Sequence, residues 1–315
     1  MQFAADASEV HKEESWSAER IAESVSTLAD FWNRILRSLM QGSQIFTSSI
    51  GRSAEGRDIP AHANFALSLA TVPPRSTLLI GGTHGDEPAT VLLLQGFIHS
   101  AGRIGLPPGP TIVVPLANPD GYMLGTRYNA RGVDLNRNFG FNWRADCEEP
   151  PGPAPWSEPE SVALRDFIVA WRPAKIISLH WALAEIDADG VQSTALAQAM
   201  WEALSLEARQ PYRLRITEIG RGQRRLEQTY AACPGSLGQW CGYGLEYPDG
   251  SAPAMITLEL PYDPAAEARP DELPGDHLAD VRALWGRDPC AYLRAVEPGV
   301  TAMLLAACRF DSPPP

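Results

Sequence analysis

The sequence predicts an α/β protein with a mixed, mostly parallel twisted sheet and helices on both faces. Four apolar runs rich in β-branched residues have the length of buried strands, at residues 77–81, 111–116, 175–179 and 255–258. Helical patterns separate these runs, at residues 89–100, 158–171 and 194–207. Alternation of strands and helices is typical of a parallel sheet that is covered by helices on both sides.

The segments around this α/β region have patterns of their own. Residues 18–39 carry apolar side chains at helical spacing and predict an amphipathic helix. Residues 49–64 alternate around glycines and predict a hairpin at a sheet edge. We therefore expect an N-terminal segment at residues 1–45, one main domain at residues 46–310 that ends in helix, and a disordered tail at residues 311–315. The proline-rich stretches at residues 149–155 and 263–274 are interpreted as surface loops.

Composition narrows the possible partners and the compartment. A chain of 315 residues with 44% apolar content can bury a full core. Its net charge of −12 argues against a nucleic-acid partner. It shows no secretory signal and no apolar run long enough for a membrane span, so we expect a cytoplasmic protein without membrane attachment. Five cysteines without C-x-x-C spacing favour reduced thiols, with Cys233 and Cys241 as the pair of interest.

Three residues at predicted strand ends have the side chains that could bind a metal ion. His84 and Glu87 follow the first strand, and His180 follows the third. Two imidazole nitrogens and one carboxylate leave a coordination position open, as in a catalytic rather than a structural zinc site. The Irving–Williams order does not by itself select zinc, so another divalent metal is an alternative. The remaining histidines lack this context and are interpreted as structural: His11, His62, His99 and His277.

Further polar groups lie where the other two strands end. Residues 118–121 follow the second strand, and Glu259 closes the fourth. Ligand crevices of open α/β sheets form at the carboxyl ends of strands, so these groups are expected to face one site. A carboxylate beside Ile256 and Leu258 would lose hydration, whereas a nearby metal ion would stabilise it. The alternative is that Glu259 simply turns outward.

Several motifs carry a resemblance to a known family. They lie at residues 82–87, 118–121, 132–139, 157–160 and 234–241. Together with His180 and Glu259, they resemble the zinc carboxypeptidase superfamily of metallopeptidases over about residues 49–261, and within it the murein peptide amidase A type. The resemblance implies a zinc carboxypeptidase-like fold of the phosphorylase/hydrolase-like kind and one Zn²⁺ per chain.

The resemblance also implies a role for each site residue. His84, Glu87 and His180 would bind zinc, with Glu259 as the general base. Arg127 would stabilise the oxyanion, and Asn136 with Arg137 would bind the terminal carboxylate of the substrate. Asp134 would accept a hydrogen bond from His84. For each arginine, an ordinary surface ion pair is the alternative.

These roles imply a zinc-dependent hydrolase that cleaves an amide next to a free carboxylate in a small peptide. Enzymes of the subgroup cut the bond between γ-D-glutamate and meso-diaminopimelate in recycled cell-wall peptides. One alternative is an N-acyl amino acid deacylase of the succinylglutamate desuccinylase or aspartoacylase type, which shares the zinc set. Another is a metal-free relative that only binds peptides.

Two features depart from the pattern of the family. Trp181 stands where a polar residue is expected, which raises the question of whether it alters the pocket for the leaving group. A longer insert at residues 242–254 carries Glu246 and Asp249, which either recognise an amine of the substrate or belong to a solvated loop.

Overall fold

The computed structural model describes residues 45–73, 75–104, 107, 109–216, 234–262 and 288–311. The helix predicted at residues 18–39 lies outside these residues, as do the stretch at 263–274 and the last four residues of the predicted tail. His11, His277 and Cys233 also lie outside them. The proposed division of the chain at residue 45 therefore stays a prediction.

One mixed sheet of eight strands organises the described residues. The strands are β1 (Phe46–Arg52), β2 (Asp58–Ala63), β3 (Thr77–Ile80), β4 (Thr111–Val114), β5 (Lys175–Trp181), β6 (Glu185–Asp189), β7 (Arg213–Ile216) and β8 (Ala254–Leu260). Their order across the sheet is β1-β2-β4-β3-β5-β8-β6-β7. Four neighbouring pairs are parallel and three are antiparallel, which confirms the predicted mixed, mostly parallel sheet.

The central strands are buried along their whole length. Every residue of β3, β4 and β5 is buried, as expected where helices cover both faces of a parallel sheet. Strands β5 and β8 run further than predicted because their pairing continues through His180 with Glu259 and Trp181 with Leu260. His180 and Glu259 therefore lie within paired strands, next to each other in the register.

The helices are α1 (Pro88–Ile104), α2 (Pro119–Leu124), α3 (Pro159–Trp171), α4 (Thr194–Ala203), α5 (Leu206–Arg209), α6 (Leu237–Gln239) and α7 (Pro289–Arg309). Four of them begin at a proline, whose fixed φ suits the first turn. The prediction of a single helix at residues 194–207 is wrong, because the segment forms two helices, α4 and α5. Leu204 between them is extended, and Ser205 caps α5 by accepting a hydrogen bond from Ala208 N. No described helix combines the length and the apolar character that a membrane span requires.

Trp181 packs against the C-terminal helix. Its ring lies 5.0 Å from that of Tyr292 on α7, and both side chains donate hydrogen bonds to the carbonyl of Pro261, at 3.2 and 2.7 Å. Successive residues of a strand point to opposite faces, so Trp181 lies on the other face of β5 from His180. Trp181, the residue that departs from the family pattern, therefore supports the end of β8 from the opposite face of the sheet.

Candidate active site

The turn between β3 and α1 carries His84 and Glu87. Gly82 has a φ of 59°, a conformation that glycine adopts without strain, and its N–H donates to Thr90 Oγ1 at 3.0 Å. A Cβ on Gly85 would lie 2.0 Å from the carbonyl carbon of Gly121, so the turn packs directly on the backbone of α2. This packing holds His84 and Glu87 in the interior, where each is only 3% exposed.

We expect Gly85→Ala to distort this turn. The added methyl group has no room, so the turn must move away from α2, at a cost of about 1–3 kcal/mol of folding stability. Zinc affinity should fall as well, because His84 and Glu87 move with the turn. Thermal unfolding and zinc titration measure the two effects.

Gly56→Ala is the control, since a Cβ there meets open space, although its φ of 82° makes alanine strained. It should lose some stability and keep its zinc affinity. Unchanged zinc binding in Gly85→Ala would contradict the inference that packing of this turn on α2 positions His84 and Glu87.

The structure brings the three predicted metal ligands together. Nδ1 of His84 lies 2.7 Å from Oε1 of Glu87 and 3.3 Å from Nδ1 of His180. One ligand atom from each residue lies within 4.8 Å of the others, and all three residues are buried. The Nε2 atoms are engaged elsewhere, that of His84 with Asp134 Oδ1 and that of His180 with Ser178 Oγ, both at 3.2 Å. Both Nδ1 atoms therefore point into one centre.

The electrostatics of this centre fit a cation. Oε2 of Glu87 lies 3.3 Å from Nδ1 of His180 without the geometry of a hydrogen bond, so a buried acceptor is left over. Burial lowers the pKa of His84, but the charges of Glu87 and Asp134 outweigh burial and raise it to about 9. The centre thus draws in positive charge. A divalent cation bound by two imidazoles and a carboxylate satisfies this demand.

Asp134 connects the metal centre to Arg127. Besides its contact with His84, Asp134 accepts a hydrogen bond through Oδ2 from Nε of Arg127 at 2.9 Å, and the same oxygen forms an ion pair with NH2 of Arg127, also at 2.9 Å. Asp134 is fully buried; although burial alone would raise its pKa, His84 and Arg127 lower it strongly. The carboxylate therefore stays ionised and fixes both side chains. The NH1 group of Arg127 lies 3.3 Å from Nδ1 of His84, at the edge of the centre.

Glu259 is the register partner of His180 and keeps some exposure to solvent. Among the described residues its Oε2 has no hydrogen-bond partner. Burial raises its pKa, and the negative charge of Glu87 raises it further. A carboxylate in this state holds a proton more readily than an exposed one.

Asn136 and Arg137 form a second polar group beside the loop at residues 234–241. Oδ1 of Asn136 accepts a hydrogen bond from Leu237 N at 2.9 Å, and NH1 of Arg137 donates to Asn136 O at 2.9 Å. No carboxylate of the described residues pairs with Arg137, so the predicted alternative of a surface ion pair does not apply to it there. The loop is not a plain surface turn, because it forms α6 and the following π-helical turn Trp240–Gly244, with Leu237, Gly238 and Gln239 buried.

Two contacts of the site were not predicted. Ser178 holds His180, and its position two residues earlier on the same face of β5 could have indicated this contact. Glu149 lies 3.8 Å from Nε of Arg127 and accepts a hydrogen bond from the Tyr128 hydroxyl. It comes from the proline-rich loop, and no pattern in the sequence pointed to it.

The described cysteines, Cys147, Cys241, Cys290 and Cys308, are free thiols.

Three buried ligands, a neighbouring carboxylate and a fixed guanidinium are the groups that a metal-dependent hydrolase needs. Comparison with known proteins agrees with this class. The model of the zinc carboxypeptidase family matches residues 108–186. The chain belongs to this family and is a zinc metallopeptidase or amidase, as predicted, and the family implies one Zn²⁺ in the His84, Glu87 and His180 centre.

Relatives within the family include murein peptide amidases. That of Escherichia coli K12 is 33% identical over 185 residues, which is 53% of this chain and 66% of that protein. The Vibrio campbellii protein is 30% identical over 199 residues, which is 58% of this chain and 68% of that protein. The crystal structure of the murein-tripeptide amidase of Escherichia coli O157 matches with a TM-score of 0.50 and 30% identity, and covers 79% of this chain and 94% of that one.

Proposed function

We propose that this protein is a zinc-dependent amidase that hydrolyses the bond between γ-D-glutamate and meso-diaminopimelate in small cell-wall peptides. The observation that carries the proposal is the buried grouping of His84, Glu87 and His180 beside the partly exposed Glu259. The similarity to murein peptide amidases supports the substrate. The composition and the sequence features argued above lead us to propose a cytoplasmic location.

Glu259 is proposed as the group that moves the proton. His84, Glu87 and His180 would hold the zinc ion, which when bound polarises a carbonyl and lowers the pKa of water. Glu259 takes a proton from the attacking water at its free Oε2 and then delivers it to the nitrogen of the leaving amine. Its position opposite His180 in the register supports this role, because the proton acceptor must lie close to the metal centre.

Arg127 is proposed to stabilise the negative oxygen that develops on the scissile carbonyl. Asp134 holds the guanidinium of Arg127 in place through two of its nitrogens. The Arg127 side chain is 17% exposed, so substrate can reach it. A donor that is already oriented need not reorganise as the charge develops, which is the source of this kind of stabilisation.

Asn136 and Arg137 are proposed to bind the free carboxylate next to the scissile bond. The planar guanidinium of arginine meets a carboxylate with two parallel hydrogen bonds, and Arg137 lacks a described acidic partner that would compete. This anchor explains why the proposed substrate ends at the residue being released.

Product analysis tests the proposal. Zinc-loaded protein incubated with L-Ala-γ-D-Glu-meso-diaminopimelate should release free diaminopimelate and L-Ala-γ-D-Glu. A substrate in which the carboxylate next to the scissile amide is itself amidated should react much more slowly, because Arg137 loses its ligand. Turnover of N-acyl amino acids alone would overturn the proposal in favour of a deacylase. Stoichiometric zinc without any turnover would favour a peptide-binding role.

A further inference from the structure

Asp134 holds the guanidinium of Arg127 through a single oxygen. Nε and NH2 of Arg127 both lie 2.9 Å from Oδ2 of Asp134. The other oxygen, Oδ1, contacts Nε2 of His84 at 3.2 Å and accepts a hydrogen bond from the backbone N–H of Asn136 at 2.8 Å. A carboxylate fixes a guanidinium best when each of its oxygens meets a separate nitrogen. With both nitrogens at one oxygen, the guanidinium of Arg127 can still pivot about Oδ2.

The contact of Arg127 with His84 cannot stop this pivoting once zinc is bound. NH1 of Arg127 lies 3.3 Å from Nδ1 of His84. The lone pair of this nitrogen would bind the zinc ion proposed above, so it cannot also accept a hydrogen bond from Arg127. A second acceptor is therefore needed to keep the guanidinium in one orientation.

Glu149 supplies a second carboxylate beside this guanidinium. Its Oε1 lies 3.8 Å from Nε of Arg127, and the side chains of Glu149 and Arg127 are 30% and 17% exposed. Its Oε2 accepts a hydrogen bond at 2.8 Å from the hydroxyl of Tyr128, the residue that follows Arg127. This hydrogen bond raises the pKa of Tyr128, so the hydroxyl keeps its proton and continues to donate at neutral pH. Tyr128 thus holds one oxygen of Glu149 and leaves the other beside Arg127.

The loop that carries Glu149 is tied to the segment that carries Asp134. The backbone N–H of Asp134 donates a hydrogen bond to the carbonyl of Pro150 at 2.8 Å. Nδ2 of Asn138, which is fully buried, donates to the carbonyl of Pro151 at 2.8 Å. Proline fixes φ, so the backbone that follows Glu149 has little freedom of its own. The carboxylates of Asp134 and Glu149 are therefore held at fixed places relative to each other.

We propose that Glu149, held by Tyr128, is a positioning residue that keeps Arg127 oriented towards the oxygen on which negative charge develops. The inference rests on the proposed function, because that function places Arg127 at the scissile carbonyl. Glu149 acts through Arg127 and not on the substrate, by limiting the rotation of the guanidinium about Oδ2 of Asp134. The alternative is that Glu149 and Tyr128 only stabilise the loop.

Glu149→Gln tests the inference, because it keeps the size of the side chain and an acceptor for Tyr128 but removes the negative charge beside Arg127. The kcat for the peptide substrate should fall about 3- to 10-fold, between the effect of an exposed ion pair and that of a hydrogen bond to a charged group. KM should change little, since Arg127 acts on charge that develops in the transition state. Glu148→Gln is the matched control, because it removes an exposed carboxylate one position earlier in the loop and should keep the kcat of the wild type.

A double-mutant cycle with Arg127 separates positioning from a purely structural role. Arg127→Ala lowers kcat/KM by itself, and adding Glu149→Gln to it should cause no further loss, because the group that Glu149 positions is gone. The same fold loss from Glu149→Gln in both backgrounds would overturn the inference and leave a structural role. Tyr128→Phe frees Oε2 of Glu149 and serves as the second variant should Glu149→Gln unfold; it should lower kcat in the same direction and also lose its effect in the Arg127→Ala background.

A measurement without turnover keeps this inference separate from the proposed function. In zinc-loaded protein with isotopically labelled arginine, the Nε–H signal of Arg127 is identified by NMR from its absence in Arg127→Lys. Exchange of this proton with water should be about 3- to 10-fold faster in Glu149→Gln than in the wild type and unchanged in Glu148→Gln, because the second carboxylate is lost. Unchanged exchange in Glu149→Gln overturns the inference even where the amidase activity stands. Faster exchange in a protein that cleaves no peptide supports the positioning of Arg127 and overturns only the proposed function.

Discussion

We expect Glu259→Gln to lower kcat for the peptide substrate about 100- to 10,000-fold, the range that a positioned acid or base contributes. Glutamine has the shape of glutamate but cannot accept a proton from water or return one to the leaving amine. Glu259 is not among the three residues that group as metal ligands, so the zinc content should stay at one per chain. Substrate binding should change little, because Asn136 and Arg137 remain.

Steady-state kinetics and elemental analysis on the same preparation check this result. Glu202→Gln is the control, since Glu202 lies exposed on α4, where its carboxylate accepts a hydrogen bond from Gln198 of the same helix. A fall in kcat that comes with an equal loss of zinc would instead make Glu259 a residue that supports the metal. A Glu259→Gln protein with the kcat of the wild type would falsify its role as the base.

The second large effect is expected for His180→Ala, which should lose tightly bound zinc and with it all measurable activity. The substitution removes one of the two nitrogens that face Glu87 and leaves two ligands. Ser178→Ala removes only the hydrogen bond to His180 Nε2, and loss of such a supporting contact typically weakens metal binding about 10- to 100-fold. The loss in His180→Ala should be clearly larger.

Competition with a chromogenic chelator measures the affinity of each variant for zinc. His62→Ala is the matched control, because His62 lies on β2 of the edge hairpin, where its Nδ1 contacts Thr47 Oγ1. The expected order of zinc affinity is wild type equal to His62→Ala, then Ser178→Ala, then His180→Ala. Stoichiometric, chelator-resistant zinc in His180→Ala would remove His180 from the ligand set.

Strands and motifs that depend on local pattern were predictable. The four central strands are fully or largely buried, so each is a run of apolar residues that the sequence displays directly. The hairpin of β1 and β2 followed from its alternation and glycines. The family followed from short motifs whose residue types serve one chemistry, and the comparisons confirm it.

Elements whose character depends on their neighbours were not predictable. Strand β6 alternates Glu185, Asp187 and Asp189 with Ile186 and Ala188, so it lacks the apolar run of a central strand and becomes a strand by pairing with β8. The break at Leu204 depends on the cap that Ser205 forms. The hydrogen bond from Thr257 to Asp189 had no signal in the sequence, because it forms only when β6 lies beside β8.

The sequence by itself determined which chemical groups this protein has, because His84, Glu87, His180 and Glu259 stand at strand ends whose apolar runs are visible locally. Only the tertiary structure decided how these groups meet. His84 and His180 are 96 positions apart, yet their Nδ1 atoms lie 3.3 Å from each other because β3 and β5 are neighbours in the sheet. Likewise, the pairing of β6 with β8 placed the alternate acidic residues of β6 on the same face of the sheet as Glu259. Side-chain chemistry is a property of single residues, whereas distances across a sheet depend on strand order and register.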